Sequence, residues 1–320
     1  MPELPEVETV RRGLETLILG RRILTVDIRH EKSFADDDLV EPFVTGARVT
    51  GLRRYAKVLV IDLDTAYSLV IHLKMTGQLV FRDEADAEAD WGAGHPTKSF
   101  VAALPDRSTR VVFGLGERAD ASADDVLPDV AHTHLFFNDQ RIFGWIKVVP
   151  TPAVEQLPFI AGLGPQPLDA RGEPLAPAAQ AAAEARFLTA ARRHARAPVK
   201  AVILDQAVAA GIGNIYADEA LWAARIHPAT RVGDLTDQQL VAVFRAAGES
   251  MLDSLAVGGS TMATYFQVDG TPGSYLDQFA QVFRREGRPC PRCGTLIVKT
   301  RVAGRGTHLC PTCQLPRPPA

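Results

Sequence analysis

A chain of 320 residues has room for two domains and a small third one. It is 46% apolar and 23% charged, so it can bury a core, and no apolar run approaches the roughly 18 residues of a membrane span. There is no basic-then-apolar leader, which predicts a cytoplasmic protein, and a net charge of -3 neither favours nor excludes a polyanionic partner.

The opening, MPELPEVETV, sets two prolines around a Glu-Leu pair and follows them with Glu6 and Glu8. Proline at the first helical position and acids in the first turn suit a helix start. Val7, Val10, Leu14, Leu17 and Ile18 recur at helical spacing before Gly20, so a helix is expected over 5–19. Glu8 is expected on its surface, with Arg11 and Arg12 three and four residues on. Pro2 and Glu3 precede the helix, and helix chemistry does not explain them.

Eight short runs follow: ILTVDIRH, ARVTGLRRY, KVLVIDL, YSLVIHLKM, SFVAAL, RVVFGL, HLFFND and FGWIKVV. They read as closely spaced strands and predict, behind one leading helix, a β-sandwich over 1–150. The acidic stretches DEADAEAD (83–90) and DASADD (120–125) read as surface loops. Residues 151–180, rich in proline, read as a linker. From there to 282 the pattern is helical: AAAEARFLTAARRH, PVKAVILDQAVAAG, GNIYADEALWAARIHP and LTDQQLVAVFRAAGESMLDSLAVGG. Between the second and third runs lies GIGN (211–214). Asn214 can cap the third helix while Gly211 and Gly213 leave its amides bare, which describes either an anion site supported by Lys200 or a plain helix hairpin. The stretch STMATYFQVDGTPGSY (260–275) is either a loop over a pocket or a connector.

The tail from 283 to 320 carries all four cysteines, as CPRC (Cys290, Cys293) and CPTC (Cys310, Cys313), sixteen residues apart. That is zinc-ribbon spacing around a β-hairpin turning at Ala-Gly-Arg-Gly, with Arg305 near the tip; two disulfides are the alternative. Four thiolates saturate a tetrahedral Zn²⁺, so the metal would be structural. Between Arg284 and Arg317 stand eight Lys or Arg and one acid, a density that suits a polyanion.

Five stretches occur in one order: MPELPEVETVRRGL, IHLKMTG (71–77), GIGNIYADEALWAARIHP (211–228), DGTPGSY (269–275) and the four-cysteine tail. Together they resemble the bacterial formamidopyrimidine-DNA glycosylases, over nearly the whole chain apart from the acidic insertions and the last few residues. The related endonuclease VIII group shares the architecture but typically opens Pro-Glu-Gly-Pro-Glu, where this chain has Leu4. The resemblance implies an α+β multidomain fold: an N-terminal β-sandwich with a leading helix, a helix-two-turn-helix domain over 181–282 and a C-terminal zinc ribbon. It implies a monomer that excises 8-oxoguanine and formamidopyrimidines from double-stranded DNA and cleaves the resulting abasic site in base excision repair. Runner-up readings are an enzyme of oxidised pyrimidines and a catalytically silent lesion-binding relative.

Residue by residue, the resemblance makes Pro2 the nucleophile once Met1 is removed, Glu3 the proton shuttle and Glu6 a buried support. Lys57 joins the catalytic set and, with His72, Asn214 and Arg305, the phosphate clamp; Lys200 is expected to support DNA binding. Met75, Arg141 and Phe143 would fill the gap left by the everted base, although Met75 and Phe143 read on their own as core. Ile142 departs from the family, which commonly has a second basic residue there. Thr264, Tyr265 and Phe266 would contact the everted lesion.

Overall fold

The computed structural model describes residues 2–84, 90–94, 103–118, 131–258 and 275–316. The chain divides into two compact units. Among the described residues, one holds Pro2 and Glu6–Ile160, and the other holds Glu3–Pro5 and the chain from Ala161 on.

In the first unit, helix α1 (Leu4–Ile18) leads two antiparallel sheets. One sheet has the order β1-β7-β8-β5-β6, from β1 (Arg21–Ile28), β5 (Gly77–Asp83), β6 (Trp91–Gly94), β7 (Thr109–Arg118) and β8 (Thr133–Asp139). The other has the order β2-β3-β4-β9, from β2 (Val49–Tyr55), β3 (Val58–Leu63), β4 (Tyr67–His72) and β9 (Trp145–Pro150), with α2 (Val40–Phe43) in the β1–β2 connection. Their inner faces supply one core, including Leu59, Ile61 and Ile71 from one sheet and Phe81, Phe113 and Phe137 from the other. Val7, Val10, Leu14 and Ile18 of α1 join that core, as their spacing requires.

Two sequence expectations need correction here, and a third lies largely outside the described residues. β5 and β6 were absent from the predicted strands. The residues of β5 are buried from Gly77 to Phe81, so its apolar run does not alternate and gives no period-2 signal. The expected strand SFVAAL lies largely outside the described residues, and Ala103 and Leu104 are not in a strand. Glu8 is fully buried rather than on the helix surface. Its carboxylate meets Arg54 at 2.9 Å, Arg11 at 2.9 Å and Arg12 at 2.9 Å. Arg54, also fully buried, donates onward to the Ala56 carbonyl at 3.2 Å and so fixes the β2–β3 turn that presents Lys57. Glu8→Ala is expected to cost about 3–5 kcal/mol, because it strips the carboxylate from a buried guanidinium. Urea denaturation would measure this, and a loss under about 1 kcal/mol would show that the pair is dispensable.

The second unit is helical and ends in a hairpin. After the short α3 (Pro158–Ala161) come α4 (Pro177–Arg192), α5 (Val199–Ile203), α6 (Asn214–Ala223), α7 (Asp237–Ala256) and α8 (Tyr275–Gln278). Thr236 and Gln239 close a capping box at the start of α7. The helices pack around Phe187, Tyr216, Leu221, Leu240 and Phe244, with the Phe187 and Phe244 rings stacked at 4.9 Å. The helix expected over 198–211 stops at Ile203. Beyond it Gln206 holds a tight turn, donating to the Leu204 and Ile212 carbonyls and accepting from the Gly211 N–H at 2.9 Å. Strands β10 (Val298–Val302) and β11 (Arg305–Leu309) pair through a two-residue turn, Ala303-Gly304, both at positive φ.

Candidate active site and nucleic-acid interface

In the second unit Glu3 is 2% exposed, and its Oε1 accepts the Ile215 N–H at 3.0 Å in the first turn of α6. The helix dipole is positive at that end, so the carboxylate is held where an anion is favoured. The glycines of GIGN explain the approach. A Cβ at Gly213 would overlap the Glu3 carboxyl group, and one at Gly211, where φ is +91°, would collide with Leu4. The Leu4 N–H donates to the Gly211 carbonyl at 3.2 Å. The sequence leaves two readings of GIGN, and the anion at this helix end is supplied by the chain's own Glu3.

Asn214 is not the N-cap. Gly213 caps α6, and Asn214 is its first helical residue. The Asn214 Nδ2 donates to the Gly306 carbonyl at 3.0 Å, while its buried Oδ1 has no partner among the described residues. Lys200 also differs from expectation. It is fully buried, and its Nζ donates to Asp218 Oδ1 at 2.6 Å, to the Gly306 carbonyl at 2.9 Å and to Thr307 Oγ1 at 2.8 Å. An ammonium has three donors, so none is left for a phosphate. Lys200 holds the hairpin instead. Asp218 completes the clamp, its Oδ2 accepting the His308 N–H at 2.9 Å. Arg305, in the same hairpin, is exposed, and its guanidinium makes no ion pair with the described residues.

The four cysteine sulfurs lie within 4.8 Å of one another. Individual separations are 3.4 Å for Cys293–Cys310, 3.5 Å for Cys293–Cys313 and 4.0 Å for Cys290–Cys313. A tetrahedron with Zn–S bonds of about 2.3 Å has edges of about 3.8 Å, so the donor set fits that metal. The ribbon is tied to α6 by Glu219, which accepts the N–H groups of Gln281, Val282 and Phe283. Arg292 lies 3.7 Å above the Trp222 ring.

In the first unit Pro2, Glu6 and Lys57 are all buried. Burial, with the charges of Lys74 and Lys57, pulls His72 down to about 3 from its ordinary 6.5. Its Nδ1 accepts the Lys74 N–H at 3.0 Å, which puts the single proton of the neutral ring on Nε2. His72 is thus an uncharged donor. Its ring lies 5.7 Å from that of Trp145, a neighbour that sequence reasoning did not single out. Nitrogen-15 NMR is expected to show the Nε2–H tautomer unchanged from pH 8 to about pH 5. The unfolded chain takes up a proton below pH 6.5 that the native ring refuses until about 3, so this residue makes stability fall with pH across that window. A ring that titrates near 6.5 would overturn the assignment.

Met75, Arg141 and Phe143 come together on the surface of the first unit. Met75 is 40% exposed and Phe143 49% exposed, so the reading of either as core is wrong. Arg141 bridges them, with Nη1 3.3 Å from the Met75 sulfur and its guanidinium 4.8 Å from the Phe143 ring centre. Two apolar tips around one cation form a projection that water alone does not favour. Between them Ile142 adopts φ +57°, an outlier for a β-branched residue. Thr264, Tyr265 and Phe266 lie outside the described residues.

Comparison with known proteins then decides the family. Residues 1–146 match the model of the formamidopyrimidine-DNA glycosylase N-terminal domain, 172–266 that of the glycosylase's H2TH domain, and 287–315 the zinc finger found in FPG and IleRS. The formamidopyrimidine-DNA glycosylase of Pelotomaculum thermopropionicum is 37% identical over 316 residues, covering 98% of this chain and 99% of that one. The chain belongs to the formamidopyrimidine-DNA glycosylase family.

Two solved glycosylase structures carry the same fold. The Thermus thermophilus protein superposes with a TM-score of 0.73 at 35% identity, covering 99% of this chain and 100% of that one. A Lactococcus lactis variant in complex with DNA containing Fapy-dG does so with a TM-score of 0.76 at 27% identity, covering 98% and 100%. As the zinc finger of this family, the cysteine cluster binds one structural Zn²⁺. Among the described residues no helix is long and apolar enough to cross a membrane. Of the residues expected from sequence, Met75, Arg141 and Phe143 are brought together, Glu3 sits at the head of α6, and Asn214 touches the hairpin of Arg305. Lys200 faces inward. Asp139, Arg54 and Asp218 were missed, because a lone acid or base within a strand or helix carries no motif.

Proposed function

We propose that this glycosylase excises oxidised purines, 8-oxoguanine and formamidopyrimidines, from double-stranded DNA and then cleaves the strand at the abasic sugar. With Met1 removed, the Pro2 nitrogen is a secondary amine, and an α-amino group has an ordinary pKa of about 7.7–8.0. A fair fraction is therefore unprotonated near neutrality. It attacks C1′ of the damaged nucleotide, the C1′–N9 bond breaks, and the base leaves with the bonding pair. Protonation of the sugar ring oxygen opens the ring and leaves an iminium between Pro2 and C1′. The iminium then accepts electrons as β- and δ-elimination break the two C–O bonds to phosphate, and hydrolysis returns the amine.

Glu3 is the group that delivers and removes these protons. It is adjacent to Pro2 in the chain, so amine and carboxyl serve one sugar. The observation that carries the reading is its anchorage, Oε1 on the Ile215 N–H, which fixes the carboxyl in one orientation. Lys57, neutral His72, Asn214 and Arg305 contact phosphates around the everted nucleotide, and Lys200 acts indirectly by fixing the hairpin. Met75, Arg141 and Phe143 enter the vacated stack and face the orphaned cytosine. The enzyme works as a monomer in the cytoplasm, on nucleoid DNA. The relatives' names and the Lactococcus lactis complex with Fapy-dG support oxidised purines as substrates.

Borohydride trapping on a duplex with one 8-oxoguanine opposite cytosine tests this, with mass spectrometry of the protein N-terminus. An adduct on Met-free Pro2 is expected. Tight binding without an adduct, from protein that starts at Pro2, would overturn the purine reading, and a thymine glycol duplex would then separate a pyrimidine enzyme from a binding protein.

A further inference from the structure

We propose that Asp139 is a positioning residue that sets the void-filling wedge before DNA arrives. The inference rests on the glycosylase reading and on the assignment of Met75, Arg141 and Phe143 as the wedge. Asp139 is the last residue of β8 and is fully buried. Its Oδ1 accepts from Thr76 Oγ1 and from the Arg141 N–H, the latter at 3.1 Å. Its Oδ2 accepts the Phe143 N–H at 2.7 Å and the Gly144 N–H at 2.6 Å. One carboxylate therefore fastens two loops 63 residues apart, one beside Met75 and one bearing Arg141 and Phe143. Its own backbone is fixed as well, by its N–H to the Ser108 carbonyl at 2.8 Å and by Arg110 Nε to its carbonyl at 2.7 Å.

A buried carboxylate at the base of a loop can serve stability alone. Three observations separate this one. The wedge side chains are exposed, so core packing does not set where they point. Ile142 is held at φ +57° between the anchored N–H groups of Arg141 and Phe143. Such a conformation persists where its surroundings over-determine it, and such sites cluster at functional clamps. Gly144 has no room for a side chain, since a Cβ there would lie 2.8 Å from the Phe137 ring and 3.1 Å from Asp139 Oδ2. The close approach of that loop to the carboxylate is thus written into two positions. A wedge whose backbone is ordered in advance loses less conformational entropy when it enters the stack, whereas a loose one must be ordered during eversion.

The test compares two substrates of the full-length, zinc-loaded enzyme. Single-turnover excision of 8-oxoguanine from a duplex requires the void to be filled. Borohydride trapping on an abasic site in single-stranded DNA does not, because no partner strand is left unpaired. Asp139→Asn keeps the shape and one acceptor oxygen but turns an N–H donor toward the Arg141 N–H; Asp139→Ala removes all four bonds. Asp139→Asn is expected to slow duplex excision about 10- to 100-fold, the scale of misplacing a positioned group by about an ångström. Trapping on the single strand should be unchanged. A 2-aminopurine beside the lesion should report slower unstacking in stopped flow. Asp139→Asn serves as the reading variant if Asp139→Ala does not fold. Equal losses on both substrates, or no loss on the duplex, would overturn the proposal. Wild-type protein inert on both would instead sink the glycosylase reading, and this inference with it, a result distinct from any effect confined to the variants.

Discussion

Replacing Glu3 by glutamine is expected to slow excision of 8-oxoguanine by about 10²- to 10⁴-fold, the usual worth of a positioned proton donor and acceptor. The glutamine carbonyl can still accept the Ile215 N–H that Oε1 now accepts at 3.0 Å, so the side chain keeps its place at the head of α6. What is lost is a group that can give up and take back a proton near neutral pH. Affinity for lesion-bearing duplex should hold, because phosphate contacts supply most of it and Glu3 makes none. The variant should also still be trapped by borohydride on a preformed abasic site. That sugar already offers an open-chain aldehyde to the Pro2 amine and needs no protonated ring oxygen. Gly213→Ala checks the same carboxyl by displacement, since a Cβ at that position would occupy its space. Excision by Glu3→Gln at the wild-type rate, measured in single turnover, would remove Glu3 from the reaction.

The split between excision and trapping matters because it isolates two neighbours in the chain. In the proposed reaction Pro2 supplies the bond to C1′, and Glu3 supplies the proton that lets the ring open. A preparation that retains Met1 buries the amine in a peptide bond and should fail both assays. The Glu3 variant should fail only one.

What could be read from the sequence follows the physics of each element. Helix α1 was legible because Val7, Val10, Leu14 and Ile18 all face one core. The tail was legible because metal spacing is local, and the Ala303-Gly304 turn places Arg305 at the start of β11. Strand β5 was not, since a run buried on both faces has no alternation. The glycines of GIGN leave two readings open in the sequence, an anion site or a plain helix hairpin. Neither reading includes what the tertiary fold does, which is to bring Glu3, more than 200 residues away in the chain, onto the Ile215 amide. The N-cap reading of Asn214 and the phosphate role of Lys200 fail for the same reason, because their side chains reach the hairpin at Gly306 and Thr307. Asp139 is the extreme case. Nothing in HLFFND marks its last residue as the hub of two loops, and only the donors of Thr76, Arg141, Phe143 and Gly144 reveal it.

Removing the metal should have the other large effect. Zinc extraction, or Cys310→Ser, is expected to lower affinity for lesion-bearing duplex by about 10- to 10²-fold, since a charge-assisted hydrogen bond of the kind proposed for Arg305 is worth about 1.5–3 kcal/mol. The ribbon has little apolar core of its own. Its apolar cluster is Trp222, Val282, Cys290, Ile297 and Cys310, two of which are zinc ligands, and a core of that size does not fold a chain segment alone. Structural zinc contributes about 10–16 kcal/mol in comparable fingers, so its loss releases the hairpin rather than loosening it. Release changes the second unit in three places. Arg305 loses the strand pairing that places its backbone. The Asn214 Nδ2 loses the Gly306 carbonyl it now reaches at 3.0 Å. Lys200 and Asp218, both fully buried, lose Gly306, Thr307 and His308 as partners and are left as a strained internal pair. The salt dependence of binding should flatten by about 0.9 for each phosphate that the protein no longer neutralises, which distinguishes a missing cation from a general loss of fold. Trapping on single-stranded abasic DNA at saturating protein should persist, because Pro2 and Glu3 lie outside the ribbon. Zinc-free protein that binds duplex with unchanged affinity and an unchanged salt slope would show that the ribbon neutralises no phosphate, and would take Arg305 out of the interface.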